Sequence, residues 1–175
     1  MDKPALRAAM RAARLAFPPV AVPPYPEFLQ RLRPGLVVAS YRPMAGEADP
    51  AALADAARVA GCALALPRVT RRGEPMRFLR WDPDVALERG VFGIEQPPAD
   101  AEELAPDIIL TPLVAFDRAG NRLGQGAGYY DAAFARAPDA WRVGVAWSVQ
   151  EARVPTDPWD VPLHRIATEK EWITP

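Results

Sequence analysis

Between Arg122 and Asp131 the chain places glycine at every second position, Gly124, Gly126 and Gly128, and then runs directly into Tyr129-Tyr130-Asp131, the opening of a helical stretch that ends near Arg136. Glycines so spaced admit positive backbone dihedrals and let a ligand approach main-chain N–H groups closely. A helix start adds unbonded N–H groups and the positive end of a dipole. The segment therefore suits a phosphate chain, and Arg122 adds a full charge beside it. Its flanks narrow the fold. Asp107-Ile-Ile-Leu110 reads as a short buried strand before the loop, and Arg142 to Trp147 as another strand after the helix. A strand, helix and strand in this order imply parallel pairing through a crossover.

The same order occurs earlier. Leu36 to Tyr41 has the length and apolarity of a strand, Asp49-Pro50 reads as an N-cap followed by a first-turn proline, and Leu53, Ala56, Ala57 and Ala60 continue a buried helix face to Gly61. Cys62 to Leu66 is the next buried strand, in which Cys62 reads as inert core. Met76 to Trp81 alternates as an additional strand, and Asp82 to Pro106 is irregular. Upstream, Leu6, Met10, Ala13 and Phe17 share one face of a helix over Lys3–Phe17, with Arg7, Arg11 and Arg14 on a neighbouring face. A short helix is expected over Glu27–Arg33. The expected fold is an α/β single domain over 1–175: an open, mostly parallel sheet flanked by helices, three-layered and Rossmann-like. Ligands of such sheets collect beyond the carboxyl ends of the strands, where the glycine segment lies.

Composition limits the partners. A formal charge of -1 and an isoelectric point near 5.9 give no broad basic field, so neither long nucleic acid nor an anionic membrane is an expected partner. No apolar run approaches the roughly 20 residues of a membrane span, and Met-Asp-Lys at the start does not resemble a secretion signal. A cytoplasmic monomer acting on small molecules is expected. The 21 prolines fall mainly between apolar runs and stiffen the connections. His164 is the single histidine, which excludes a multi-histidine metal site.

The glycines alone are weak signals, and their spacing is neither that of a Walker A loop nor that of a dinucleotide fingerprint. The longer run Phe116-Asp-Arg-Ala-Gly-Asn-Arg-Leu-Gly-Gln-Gly-Ala-Gly-Tyr-Tyr-Asp131 is far more specific. It resembles, without a gap, the hallmark of the 5-formyltetrahydrofolate cyclo-ligase family. The resemblance extends to Lys3 and Arg7, to Arg42-Pro-Met-Ala-Gly-Glu47 and to Phe92-Gly-Ile-Glu-Gln-Pro97. It also takes in Ala146-Trp-Ser-Val-Gln150 and Val154-Pro-Thr-Asp-Pro-Trp-Asp160, ending at Thr168-Glu169.

That resemblance implies conversion of 5-formyltetrahydrofolate and MgATP to 5,10-methenyltetrahydrofolate, ADP and phosphate, through a phosphorylated formyl group. It implies that Lys3, Arg7, Arg122 and the run Leu123, Gly124, Gln125, Gly126, Ala127, Gly128, Tyr129 and Tyr130 hold ATP. Asp131 and Asp160 would hold Mg²⁺. Arg42, Glu47, Phe92, Tyr129 and Tyr130 would meet the folate, and Arg122, Tyr130 and Asp131 would sit at the reacting centre. Read from the residues alone, each has an ordinary alternative. Lys3 and Arg7 could be a solvated helix face, a reading preferred for Arg11 and Arg14. Asp131 could serve the helix start, Asp160 a turn beside Pro158, and Glu47 a turn or a pair with Arg42. The aromatics could be core. A relative acting on another formyl or thiamine-related compound, or a non-catalytic folate- or partner-binding module, stays open at this point.

Overall fold

The computed structural model describes residues 2–175. Its centre is a seven-stranded sheet ordered β11-β10-β9-β6-β1-β2-β3. The parallel strands are β1 (Val37–Ala39), β2 (Ala63–Arg68), β6 (Ile108–Pro112), β9 (Trp141–Val145) and β10 (Arg165–Ala167). Antiparallel β3 (Arg77–Arg80) and β11 (Trp172–Ile173) close the two edges. The expected mostly parallel α/β sheet is thus present.

Alternation along the strands explains the layers, because successive side chains leave a strand on opposite faces. Ile108 and Leu110 join Val38, Leu64 and Val143 on one face, under α2 (Pro26–Arg31) and α3 (Ala51–Val59). Ile109 turns to the other face with Ala39, Ala65 and Ile166, under Phe134 of α4 (Tyr129–Arg136). The first helix, α1 (Lys3–Ala16), belongs to neither layer. Its Leu6 and Met10 pack on Ala115, Leu123 and Val154, so it crosses the loops at the carboxyl edge of the sheet.

Strand order defines where a ligand can sit. From β1 the chain builds β2 and β3 on one side, then returns to lay down β6, β9 and β10 on the other. Order reverses between β1 and β6, and outside the carboxyl ends of two such neighbours the diverging loops leave a crevice. The loop after β1 carries Arg42 to Glu47, and the loop after β6 leads to the glycine segment.

Several elements differ from expectation. The strand expected over Leu36–Tyr41 is hydrogen-bonded only over Val37–Ala39, and α2 begins at Pro26 and ends at Arg31. Helix α3 starts one residue later than expected, at Ala51, so Pro50 and not Asp49 takes the N-cap position; the Asp49 carboxylate, one residue further out, accepts from Ala51 N–H at 2.9 Å. Cys62 stands just before β2, buried, with burial pushing its thiol pKa up. The irregular stretch Asp82–Pro106 contains a two-residue hairpin, β4 (Glu88–Arg89) with β5 (Glu95–Gln96). Strands β10 and β11 escaped the sequence reading because each is only two or three residues long.

Candidate active site

The run beginning at Phe116 has a double architecture. Its first half is a hairpin of β7 (Ala115–Phe116) and β8 (Arg122–Leu123). The Asp117 carboxylate accepts from the backbone N–H groups of Ala119 and Asn121 and from the Asn121 amide, which closes the turn. Phe116 and Leu123, both buried, sink the hairpin into two different apolar clusters. Arg122 is thereby held on the inner side, its side chain only 6% exposed. The second half is the glycine loop and the start of α4. Gly128 caps that helix at φ +72°, a left-handed conformation, and no side chain bonds the N–H groups of the first turn. Those amides are left free to meet an anion.

Over this loop lies α1. The Arg7 guanidinium donates through Nε to the Gly124 carbonyl at 2.9 Å, and Arg11 donates to the Gln125 side-chain oxygen at 2.6 Å. Lys3 reaches the far loop, donating to Asp157 at 2.6 Å and to Asp160 at 2.8 Å. Burial opposes the Lys3 charge, but the hydrogen bonds and charges of those two carboxylates outweigh it and raise its pKa. Asp160 likewise feels burial first, yet Lys3, the Asp157 N–H and Arg122 hold its pKa below the ordinary carboxylate value. Arg122 pairs with Asp131 at 2.5 Å, its own pKa lowered by burial against that attraction.

Glu47 enters from the loop after β1. Its backbone N–H and that of Met44 close a turn, Met44 N–H donating to Oε2 at 2.9 Å, while Gln125 donates to Oε1 at 3.1 Å. Trp147, just past β9, donates its indole N–H to the Gly46 carbonyl at 3.0 Å and fixes this turn against the sheet. Gln150 steadies the other wall by donating to the carbonyls of Leu113 and Val114. The motif Ala146–Gln150 thus acts as a brace beneath the site, and Glu169 joins it by accepting from Ser148 N–H at 2.8 Å.

These side chains surround one cavity of about 500 Å³. Every residue that the family resemblance implied for the site lines it: Lys3, Arg7, Arg42, Glu47 and Phe92, the whole stretch from Arg122 to Asp131, and Asp160. Its phosphate-suited end holds Lys3, Arg7, Arg122 and the glycine loop. Apolar Val69, Met76 and Ile94 line it too, with Phe92 packed edge-on to Tyr129 at 5.8 Å between ring centroids. Burial pushes the Tyr130 pKa far up, reinforced by the negative charge of Glu47 and opposed by Arg122, so its phenol stays protonated. Arg42 spans the rim to Glu95 at 3.0 Å, half-exposed, beside a shallower recess of about 370 Å³.

Sequence reasoning misjudged one residue and passed over others. Arg14 is not on a solvated face: it is 5% exposed and pairs with Glu47 at 3.4 Å. Its position seven residues after Arg7, about two helical turns, puts it on the same side of α1, where the Met44–Glu47 turn covers it. Arg11 is exposed, as expected, though hydrogen-bonded to Gln125. Asp157 and Trp159 also line the cavity, Trp159 with 72% of its surface exposed. No cluster of three or more histidine, cysteine or carboxylate groups occurs among the described residues, and no helix among them is long and apolar enough to cross a membrane.

An α/β crevice that combines a glycine cradle, convergent cations and an acidic turn has the chemistry to receive an anionic small molecule. Comparison places it within known proteins. The 5-formyltetrahydrofolate cyclo-ligase family model matches residues 27–169, and the chain belongs to that family. Helix α1 lies before the matched range, so the placement of Lys3 and Arg7 rests on the structure. The chain is 42% identical over 100 residues to the 5-formyltetrahydrofolate cyclo-ligase of Haemophilus influenzae, a match spanning 51% of each chain. It is 32% identical over 150 residues to that of Mycolicibacterium smegmatis, spanning 79% of this chain and 76% of the relative. The match thus spans about half the length of the first relative and three quarters of the second. In three dimensions it superposes on Aquifex aeolicus 5,10-methenyltetrahydrofolate synthetase with a TM-score of 0.77 and 31% identity, over 99% of this chain and 93% of that one. The Mycoplasma pneumoniae synthetase, at 22% identity and a TM-score of 0.70, shares the fold.

Proposed function

We propose that the chain catalyses the ATP- and Mg²⁺-dependent cyclisation of 5-formyltetrahydrofolate to 5,10-methenyltetrahydrofolate, releasing ADP and phosphate. The observation that carries this reading is convergence. Lys3 and Arg7 from α1, Glu47 from the loop after β1, the entire glycine run and Asp160 near the C-terminus line one cavity.

A formamide carbonyl is a poor electrophile with a poor leaving group, so the reaction needs its oxygen activated. Transfer of the terminal phosphoryl group of ATP to the formyl oxygen yields ADP and an iminium phosphate. The neighbouring folate nitrogen attacks the formyl carbon, its proton passes to solvent, and the C–O bond breaks so that phosphate departs with the former formyl oxygen. Such phosphoryl transfer is accelerated by alignment and by charge placed where it develops, without a protein nucleophile. Lys3, Arg7 and Arg122 offset the phosphate charge, and the free amides between Gly124 and Tyr130 orient it. Glu47 accepts from N–H groups on the pterin edge, and Phe92 and Tyr129 give the rings an apolar wall. Tyr130, protonated throughout, serves as a donor and not as a base.

Asp131 and Asp160 fit Mg²⁺, which takes one or two carboxylates and otherwise keeps water and phosphate oxygens, so the lack of a three-carboxylate cluster does not conflict with it. When bound, the ion would neutralise charge on the transferred phosphoryl group. The test is the near-ultraviolet absorbance of methenyltetrahydrofolate from purified protein, 5-formyltetrahydrofolate and MgATP, with ADP measured alongside. Equimolar ADP and methenyl product support the reading; ATP and folate left unchanged over a wide range of concentrations and pH refute it.

A further inference from the structure

Behind the cavity wall stands an arginine that the proposed reaction leaves without a task. Arg14 does not line the cavity, whereas its partner Glu47 does. Both are nearly dry, Arg14 at 5% and the Glu47 side chain at 4% exposure. Their contact is a single loose one, Arg14 Nη1 to Glu47 Oε1 at 3.4 Å, with a second long approach of Nη1 to the Leu113 carbonyl at 3.5 Å. Arg14 Nε is buried with no hydrogen-bond partner among the described residues. A pair selected for stability alone would engage both forks of the guanidinium, and apolar residues of the same volume would often serve as well. This one places a positive charge against Oε1 of a carboxylate that lines the cavity, where Gln125 also donates, and leaves Oε2, which accepts only from Met44 N–H, with a lone pair for a ligand.

The packing locks that geometry. A β-carbon built on Gly46 would meet Leu15 at 2.9 Å and the Arg14 side chain at 3.4 Å, so α1 and the Met44–Glu47 turn fit against each other with no slack. Met44 N–H and the Gln125 amide fix the carboxylate from two other directions.

Building on the proposed folate reading, we infer that Arg14 is a positioning residue that acts through Glu47. It holds a nearly dry carboxylate aimed at the N–H edge of a bicyclic, amide-like substrate, and it has no direct contact with that substrate or with nucleotide. Glu47 without Arg14 would be a desolvated charge without its cation, which such a site avoids by rotating, neutralising or admitting water.

The test is a double-mutant cycle over Arg14→Met and Glu47→Gln, reading equilibrium binding of 5-formyltetrahydrofolate, binding of ATP, and melting temperature. The expected result is that Arg14→Met weakens folate binding by roughly 10- to 100-fold and ATP binding by less than about threefold. In the Glu47→Gln background the same change has little further effect, and Arg14→Lys recovers most of the loss. If Arg14→Met does not fold, Arg14→Lys and Arg14→Gln carry the same cycle. Multiplicative losses, equal losses for both ligands, or a lower melting temperature with unchanged folate binding would overturn the inference. Wild-type protein that makes no methenyl product overturns the functional reading itself. An active wild type with a multiplicative cycle overturns only the role of Arg14.

Discussion

Alanine at Gly126 and alanine at Gly124 should fail in different ways, and the difference tests what the glycine loop is for. Gly126 holds φ at +108°, while the nearest atom to an added β-carbon is Arg7 Cζ at 3.6 Å, an ordinary contact. Space is available there, so the obstacle is conformational. A non-glycine residue in so sparsely populated a region costs about 1–3 kcal/mol. For a chain of this size each kcal/mol lowers the melting temperature by about 2–4 °C, so Gly126→Ala should melt roughly 2–12 °C early. Gly124 has no positive φ, and an added β-carbon there meets only Arg122 Nη1, at 3.4 Å. Its substitution should leave the melting temperature within about 2 °C, since alanine also stiffens the unfolded chain.

If glycine at 124 serves ligand approach, the cost appears in binding. Gly124→Ala should raise the KM for ATP roughly tenfold while leaving that for 5-formyltetrahydrofolate nearly unchanged. Thermal melts without ligand, combined with steady-state kinetics varying one substrate at a time, separate the two effects. The reasoning is refuted if Gly124→Ala melts as early as Gly126→Ala, or if its kinetic defect falls on the folate and spares ATP.

Trp159, the one strongly exposed tryptophan, sits at the cavity beside the Lys3–Asp157–Asp160 cluster, so ATP should quench its fluorescence and Trp159→Ala should weaken ATP binding by about 1–3 kcal/mol. An unchanged affinity and unchanged emission would place the base elsewhere. His164 has its pKa lowered first by burial and then by the charges of Arg142 and Arg165, and its Nδ1 accepts from the Arg142 N–H at 3.0 Å. The folded state therefore disfavours the protonated ring, so stability is complete above roughly pH 6.5 and declines as pH falls through the lower folded value; melting curves of His164→Asn should lack that decline. The double variant Asp131→Asn/Asp160→Asn should lose MgATP turnover by on the order of 100-fold or more, yet bind metal-free ATP more tightly than wild type in calorimetric titration.

The sheet was legible because its strands are apolar runs bounded by turn residues, and the crossover order of β1, α3 and β2 left little choice of topology. The cradle was legible for a different reason: Phe116 to Asp131 is contiguous, so one stretch of chain carries hairpin, arginine, glycines and helix start together. Arg14 was not legible as a buried charge, because a guanidinium on a helix face is ordinarily solvated and only the turn at Met44–Glu47, contributed by a distant segment, covers it. Asp157 was missed for the same reason. It gains a role only when Lys3, 154 positions earlier in the chain, reaches it. The short strands β10 and β11 give alternation too few residues to register, and their partners, not their own pattern, define them.

Charge at the end of the cavity lined by Lys3, Arg7 and Arg122 explains how its internal ion pairs could give way to an anionic ligand. Lys3, Arg7 and Arg122 face Asp131, Asp157 and Asp160, and two of the cations are already bound to carboxylates at 2.5–2.8 Å. In this state the site is close to neutral and its acidic groups are satisfied. A bare triphosphate adds several negative charges and would draw Lys3 and Arg122 away from carboxylates that then stand unpaired beside it, so part of the gained attraction is lost to repulsion. Asp131 and Asp160 would hold Mg²⁺ brought with the nucleotide as a replacement cation, and the Lys3 ammonium and Arg122 guanidinium would then be free to turn to phosphate oxygens. On the proposed reading the two aspartates would set a requirement for metal, because their charge would make the metal-free nucleotide unwelcome. That is why removing both charges should improve binding of ATP alone while abolishing its use.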